Sequence, residues 1–420
     1  MLSRNELNIM DFLSKLKLNE QLLQKIFTHH FQRSRKIDAC TFLELLLEMC
    51  ENQSEIDLEQ IALKFYEKTE QTISKQAIFK KMNCVFEGIK KLFEALLERY
   101  FKHSQIDINH ENFGFFNDII IQDSTVLSLP KRLKNKFPHL GGSKNSEAAI
   151  KIHIAYSLVS HAVVAFEIGA GIEHDSKFSF LTNNVKENSL IIKDLAYFSK
   201  ENLEQIDTHQ NSFFISRLKH NKKIYIPTSK GLKDISIKNI SKSKEVYCHL
   251  ENDENSPLYR CCITYDDQSK PHYLIANLDF ESLSSKQISF LYRLRWQIEL
   301  LFKAIKQSLC LDQLKNKGFA YFQCILYAKL IIMIVRLHSY ANLKMIMYLK
   351  YKRFLSIQSF FKRFIFLKIN YFDLIFGEVF FDENMLEMIC KISFFDKSKK
   401  SHEDLLLQED LIILDSRYYQ

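Results

Sequence analysis

Apolar residues recur at helical spacing in Ile9 to Leu18, Phe42 to Met49, Ile61 to Tyr66 and Val85 to Tyr100, so residues 1–105 read as helices. Within them a short helix at Leu58 to Tyr66 is followed by a polar connection and then by Ser74-Lys-Gln-Ala-Ile-Phe-Lys-Lys. Ser74 suits an N-cap and would leave Lys75, Gln76, Lys80 and Lys81 exposed. That pair fits a helix-turn-helix with its second helix in a DNA groove, and equally a plain helical bundle. From about residue 115 the pattern turns to strands: Phe116 to Asp123, Ala148 to Leu158 and Ala162 to Ile168. A helix over 175–187, a strand Ser189 to Asp194, a helix over 198–206 and a strand Ser212 to Arg217 follow. This is the element order of a ribonuclease-H-like α/β core. Residues 220–280 break the alternation with five short strands, Lys223–Ile226, Asp234–Ile237, Val246–Leu250, Arg260–Tyr265 and His272–Leu278, an all-β insertion. From Ser285 the chain reads as helical to about 365, and its tail is mixed and acidic at the end.

Composition changes this picture little, and charge changes it more. The chain has 420 residues, 46% hydrophobic and 26% charged, which excludes a disordered or fibrous class. The net charge of +8 is uneven: residues 281–400 carry 20 basic groups against 9 acidic ones. Between Arg293 and Lys368 the only acids are Glu299 and Asp312. A basic block in a folded segment suggests a polyanionic partner, nucleic acid above all, and a solvated helix face has the same composition. The nine cysteines form no Cys-x-x-Cys pair. With an N-terminus lacking a signal-peptide pattern they suggest a reducing cytoplasm, and Cys248-His249 with Cys261-Cys262 reads as packed thiols before a zinc cluster. The apolar run Phe319 to Val335 is interrupted by Lys329 and stopped by Arg336, so it reads as a buried helix with no membrane partner.

The candidate chemistry lies at the head of the basic block. In Tyr292-Arg-Leu-Arg295-Trp-Gln-Ile-Glu299-Leu-Leu-Phe-Lys303-Ala-Ile-Lys306, one continuous helix would place Tyr292, Arg295, Glu299 and Lys306 within an arc of about 60°, with Lys303 beside them. Leu294, Ile298, Leu301 and Ile305 would anchor the opposite side. A lone acid among cations suits a metal, and the cations suit phosphates. Its partners are sought at strand ends, where Asp123 follows Ile119-Ile-Ile-Gln and Asp194 follows Leu190-Ile-Ile-Lys. A shared site of Asp123, Asp194 and Glu299 would suit two Mg²⁺ ions, with Mn²⁺ as a substitute, about 3.5–4 Å apart for in-line phosphoryl displacement. Asp118, at the wrong end of its strand, and Asp175, in a polar turn with no partner pattern, rank below these. His153 and His174 read as orienting or structural residues, and Trp296 as packing at a helix–sheet edge.

Tyr-x2-Arg-x3-Glu-x6-Lys is the signature of the IS-four family of insertion-sequence transposases, and positions 292, 295, 299 and 306 match it without a gap. Asp123-Ser-Thr, Lys151-Ile-His153, His174-Asp175-Ser-Lys, Asp194-Leu-Ala-Tyr197 and Phe214-Ile-Ser-Arg217-Leu-Lys resemble that family's flanking motifs. The resemblance spans about residues 115–345. It implies a DDE transposase with Asp123, Asp194 and Glu299 as catalytic and metal-binding residues. It further implies that Tyr292, Arg295 and Lys306 hold phosphates of the transposon end, and Lys303 stands on the same stripe. The implied reaction is cut-and-paste transposition: hydrolysis of one strand, then strand transfer by the freed 3′-hydroxyl. Some relatives use a hairpin and stack a flipped base on an aromatic of the insertion, which here has Tyr225, Tyr247, Tyr259 and Tyr265 and no Trp. The implied partners are double-stranded DNA, as terminal inverted repeats and target, and a second protomer in the synaptic complex, in the nucleoid of a bacterial cytoplasm.

The expected organisation is a helical DNA-binding region (1–110), a ribonuclease-H-like catalytic core (111–345) and a C-terminal helical region for oligomerisation (346–420). Two rivals share these features: a metal-dependent nuclease that cleaves without joining, and an inactive DNA-binding protein derived from a mobile element.

Overall fold

The computed structural model describes residues 17–31, 36–51, 56–104, 116–140, 147–178, 185–208, 212–219, 221–236, 245–265, 271–279, 283–311, 318–351, 355–376, 385 and 387–389. The sequence-predicted start of the first helix, most of the acidic tail and Cys390 lie outside them. The chain folds into two compact units. A helical unit comprises 1–106, 126–150 and 300–399, and a sheet unit comprises 107–125, 151–299 and 400–420.

In the helical unit the N-terminal pattern becomes α1 (Glu20–Phe31), α2 (Ala39–Cys50), α3 (Leu58–Thr69) and α4 (Lys75–Ser104). Asp38 and Asp57 cap α2 and α3 by accepting from the backbone N–H of Thr41 and Glu59, and Ser74 accepts from Ala77 N as its position predicts. The second helix of the helix-turn-helix reading is the start of a 30-residue helix. Lys75, Gln76 and Lys80 are exposed there, and Lys75 pairs with Glu59. Lys81 donates to the His30 carbonyl at 2.9 Å and covers the Phe31 ring, so it holds α4 to α1 instead of projecting outward.

The long apolar run forms α8 (Phe319–Tyr351), preceded by α6 (Ser285–Arg293) and α7 (Trp296–Leu309) and followed by α9 (Ile357–Arg363) and α10 (Tyr371–Phe376). α8 is long and apolar enough to cross a bilayer, yet 89% of its most apolar window is buried inside the protein, as expected of a core helix. Ring pairs Phe79–Tyr321, Phe93–Tyr327 and Tyr100–His338 rise together along α4 and α8, so the two helices run parallel.

Three cations of the basic block, Lys329, Arg336 and Lys344, are buried. Burial lowers the Lys329 pKa, and its ammonium donates to the last carbonyls of α2 and α7, Cys50 O at 3.1 Å and Leu309 O at 2.5 Å. Helix C-termini leave such carbonyls without intrahelical donors. Arg336 donates to the Tyr371 hydroxyl, the Phe361 carbonyl and the Glu51 carboxylate at 2.8, 3.1 and 2.5 Å. Lys329 and Arg336 are internal struts of the helical unit, so part of the basic block is neither polyanion-facing nor a solvated helix face.

The chain also forms one ten-stranded sheet, ordered β3-β2-β1-β4-β5-β10-β9-β8-β6-β7. Its strands are β1 (Asp118–Leu129), β2 (Ala148–Ser157), β3 (Val163–Ala170), β4 (Ser189–Lys193), β5 (Phe213–Arg217), β6 (Lys223–Thr228), β7 (Gly231–Ser236), β8 (Glu245–His249), β9 (Leu258–Tyr265) and β10 (Pro271–Ala276). Ile119–Ile121 and Leu190–Ile192 are wholly buried, as the near-continuous apolar runs of central parallel strands require. β1, β4 and β5 are parallel, and β10 adds to β5 in antiparallel sense. The all-β insertion thus extends the main sheet through hydrogen-bonded strands. Helix α5 (Lys200–Asp207), capped by Ser199, packs Leu203 and Ile206 into a core with Ile120, Ile191, Tyr197 and Phe214. Where a helix was expected over 175–187, the described residues form only a single 3₁₀ turn, Asp175–Lys177. The parallel β1–β4–β5 centre, with β2 and β3 beyond β1 and α5 packed on its core, has the mixed α/β arrangement anticipated for a ribonuclease-H-like core.

Replacing Arg336 by Met should lower the unfolding free energy by about 3–5 kcal/mol, because the Glu51 carboxylate would lose its guanidinium inside the unit. Urea denaturation measures this, and a loss under about 1 kcal/mol would refute the strut role.

Candidate active site

Strand register brings the two aspartates together. β1 and β4 pair in parallel from Asp118↔Ser189 to Gln122↔Lys193, and β4 and β5 pair up to Lys193↔Ser216. The next residue on each strand is Asp123, Asp194 and Arg217. Three side chains remote in sequence therefore follow the last paired positions of adjacent parallel strands, where α/β sheets commonly carry ligands. Asp123 is not a strand terminus as the sequence suggested, since β1 continues to Leu129 after parting from β4.

The motif helix also differs from expectation. It is two helices, α6 and α7, joined through Leu294 and Arg295. Hydrogen bonds at the joint span three residues: Leu294 N to Leu291 O, Arg295 N to Tyr292 O, and Ile298 N to Arg295 O. Such tightening nearly eclipses positions i and i+3, so Tyr292 and Arg295 point the same way. Both reach Asp194: the Tyr292 hydroxyl donates to Oδ1 at 3.2 Å, and Arg295 Nε lies 3.8 Å from the same oxygen.

Arg295 is the hub. Its Nη1 donates to Asp123 Oδ2 at 3.1 Å and its Nη2 to Glu299 Oε1 at 2.7 Å, while Nε faces Asp194. Asp123 and Arg295 are 18% and 19% exposed, and Asp194 and Glu299 are 29% and 33% exposed. Burial pushes the Asp123 pKa up to about 6, with Asp194 and Glu299 adding to it, while the Ser124 N–H and Arg295 pull it down. Burial also works against the charge on Arg295, but the surrounding carboxylates more than offset it and its pKa is raised. The Tyr292 phenol is raised by burial and by Asp194, so it stays protonated and donates.

Three carboxylates and one guanidinium, all ionised, leave a formal charge of −2 on a cluster of hard oxygen donors. Asp123, Asp194 and Glu299 are therefore the residues suited to a divalent cation of the Mg²⁺ kind. As they stand, no three acidic, His or Cys side chains among the described residues are close enough to hold an ion. The guanidinium stands among them.

The remaining candidates separate clearly. Lys303 is exposed, and Lys306 donates to the Val126 carbonyl at 3.1 Å; both lie in the helical unit. Trp296 is 57% exposed at the head of α7, which overturns its packing role, because Leu294, Ile298 and Leu301 already fill the buried side. Tyr259 is buried and unavailable for stacking, whereas Tyr265 is exposed. Asp118 is buried at the opposite end of the paired stretch and accepts from Ser157 Oγ at 2.7 Å, as its low rank implied. His174 is exposed, and His153 is buried with its Nδ1 2.8 Å from the Tyr197 hydroxyl. Asp175, expected to have no partner, accepts from Ser124 Oγ at 2.7 Å. Arg217 reads in the sequence only as part of a strand. Its charge acts on Tyr292, and parallel register is the signal that places it.

The family model described as "Transposase DDE domain" matches residues 114–335 of this chain. The chain is 26% identical over 355 residues to the transposase for insertion sequence element IS1151 of Clostridium perfringens, covering 72% of this chain and 74% of that one. It is 24% identical over 376 residues to the transposase for IS231F of Bacillus thuringiensis subsp. israelensis, covering 77% and 78%. Among solved structures, the piggyBac transposase in a cryo-EM synaptic complex with hairpin DNA aligns with a TM-score of 0.53 at 11% identity, over 96% of this chain and 88% of that one, a likeness of fold.

A carboxyl whose folded pKa exceeds its unfolded value of about 3.9 stabilises the protein fully below that value and loses its contribution as pH rises through the folded pKa. For Asp123 that window runs from about 4 to about 6. In EDTA, Asp123→Asn should therefore be more stable than wild type at pH 7.5 by up to about 3 kcal/mol, with the gain vanishing near pH 4. Urea titrations at the two pH values decide it, and a variant less stable at pH 7.5 would contradict the carboxylate crowding.

Proposed function

The chain belongs to the DDE transposase family, and on that premise we propose that it moves an insertion sequence by cut-and-paste, with Asp123, Asp194 and Glu299 as its catalytic, ion-binding residues. The observation that carries this reading is the convergence of three carboxylates, drawn from β1, the end of β4 and α7, on the single Arg295 guanidinium. Such a set has more negative charge than its arginine balances, on side chains only partly open to solvent. Bound there, a pair of Mg²⁺ ions, or Mn²⁺ in their place, would polarise the scissile phosphate and favour an attacking hydroxide.

The chain's own groups then bind and orient DNA. Tyr292 and Arg295 hold phosphates next to the scissile bond, Lys303 and Lys306 hold phosphates further along the end, and Arg217 adds a cation at the end of β5. Trp296, 57% exposed beside Arg295, is an aromatic on which a base could stack. In the first step water attacks phosphorus and the P–O3′ bond breaks, leaving a 3′-hydroxyl on the transposon end and a 5′-phosphate on the flank. In the second, that hydroxyl attacks a target phosphodiester and displaces the target's 3′-oxygen, so the number of phosphodiester bonds is conserved and no energy source is needed. Two protomers, one per end, would pair the inverted repeats in the nucleoid of a bacterial cytoplasm.

Glu299→Gln should bring end cleavage and joining below detection while terminal-repeat binding stays within about threefold in gel shifts. Undiminished cleavage would remove Glu299 from the ion-binding set. Joining of a pre-cut 3′-hydroxyl end to a plasmid should succeed with wild type, and failure there alongside normal cleavage would favour a nuclease. For Arg295→Ala, the slope of log affinity against log salt should become shallower by about one, as one phosphate contact is lost. An unchanged slope would assign Arg295 to the carboxylates alone.

A further inference from the structure

The two aspartates are linked a second time by a part-buried chain of polar contacts. Ser124, the residue after Asp123, donates its backbone N–H to Asp123 Oδ1 at 2.8 Å and its hydroxyl to Asp175 Oδ1 at 2.7 Å. The same Asp175 oxygen lies 3.4 Å from Lys151 Nζ and 3.7 Å from His153 Nδ1. His153 Nδ1 is 2.8 Å from the Tyr197 hydroxyl. Tyr197 closes the 3₁₀ turn that starts at Asp194, donating its N–H to the Asp194 carbonyl at 3.0 Å.

Local structure holds each member in place. Lys151 and His153 are two apart on β2, so they share a face of a strand that is buried along its whole length. A buried ammonium requires a counter-charge and further acceptors. Asp175 supplies the charge, and the Glu173 carbonyl accepts from Lys151 at 2.6 Å. The His153 ring stacks on Phe178 with centroids 4.8 Å apart, which fixes its plane.

We infer that Asp175 is a positioning residue: through Ser124 on one side and His153–Tyr197 on the other, it sets the spacing of Asp123 and Asp194 for the ions they bind. The inference rests on the proposed ion-binding role of those aspartates. Asp175 is not itself a ligand, because its Oδ1 is committed to the Ser124 hydroxyl, with a lysine and a histidine close around it. The Lys151–Asp175 pair is neutral as a whole, so the support adds no net negative charge beside three crowded carboxylates.

The test is titration of Mn²⁺ into the full-length protein without DNA, reading free Mn²⁺ by EPR, with near-UV circular dichroism to confirm folding. Wild type should bind, and Asp123→Asn should not. Asp175→Asn and Ser124→Ala should each bind about 10–100-fold more weakly, the range for groups that orient metal ligands. Ser124→Thr, which keeps the hydroxyl, should restore affinity to within about threefold of wild type. The Ser124→Ala/Asp175→Ala double variant should be no weaker than the weaker of its two single alanine variants, since either change removes the same Ser124–Asp175 hydrogen bond. Wild-type affinity in both singles would overturn the inference. So would strictly multiplicative losses, or an Asp175→Asn protein as silent as Asp123→Asn, which would make Asp175 a ligand. Ser124→Ala removes no charge and carries the same test should Asp175→Asn fail to fold. Equal binding by wild type and Asp123→Asn would instead refute the ion-binding reading itself, and the inference with it.

Discussion

Three partly buried carboxylates crowded together repel one another, and one guanidinium keeps them together. Each Arg295 nitrogen faces a different acid, which a point charge such as lysine cannot do with fixed geometry. The arrangement explains the unequal electrostatics around it. The least exposed acid, Asp123, has a pKa pushed up to about 6. The arginine's own charge is reinforced despite burial. A cluster left at −2 is stable only as far as nearby positive charge allows, so the crowding that strains it is what the proposed divalent cations would relieve.

The sheet makes this crowding unavoidable. In parallel strands register is locked by burial on both faces, because a slip of one residue would turn every side chain over. With Gln122 beside Lys193 and Lys193 beside Ser216, the next positions must be neighbours. Glu299 arrives from a helix whose entry is tightened at Leu294–Arg295, and that tightening aligns Tyr292 with Arg295 over Asp194. The Ser124–Asp175 and His153–Tyr197 hydrogen bonds, with Asp175 3.7 Å from His153, run alongside. Charge and polar contacts thus act on the same two residues.

Much of this was legible in the chain itself. Alternation and apolar runs located all ten strands, the far half of β1 excepted, because period and burial are properties of local sequence. The Tyr-Arg-Glu-Lys spacing and the acids after two apolar runs singled out Asp123, Asp194 and Glu299, and Leu294, Ile298, Leu301 and Ile305 are buried as their periodicity required. What periodicity cannot express is the third dimension. Lys329 and Arg336 look in sequence like members of a DNA-facing row, yet they cap helix ends and balance Glu51, because burial of a cation depends on acceptors brought from up to 285 residues away. Trp296 looks like a packing residue, yet stands in solvent where its neighbours have filled the interior. Asp175 looks isolated and is joined to Ser124, 51 residues earlier. The sequence determined which residues could do the chemistry, since side-chain type and spacing are written locally. Only the tertiary structure decided which of them meet, which cations are spent inside, and what holds the acids at their spacing, since those are distances between segments that no local pattern encodes.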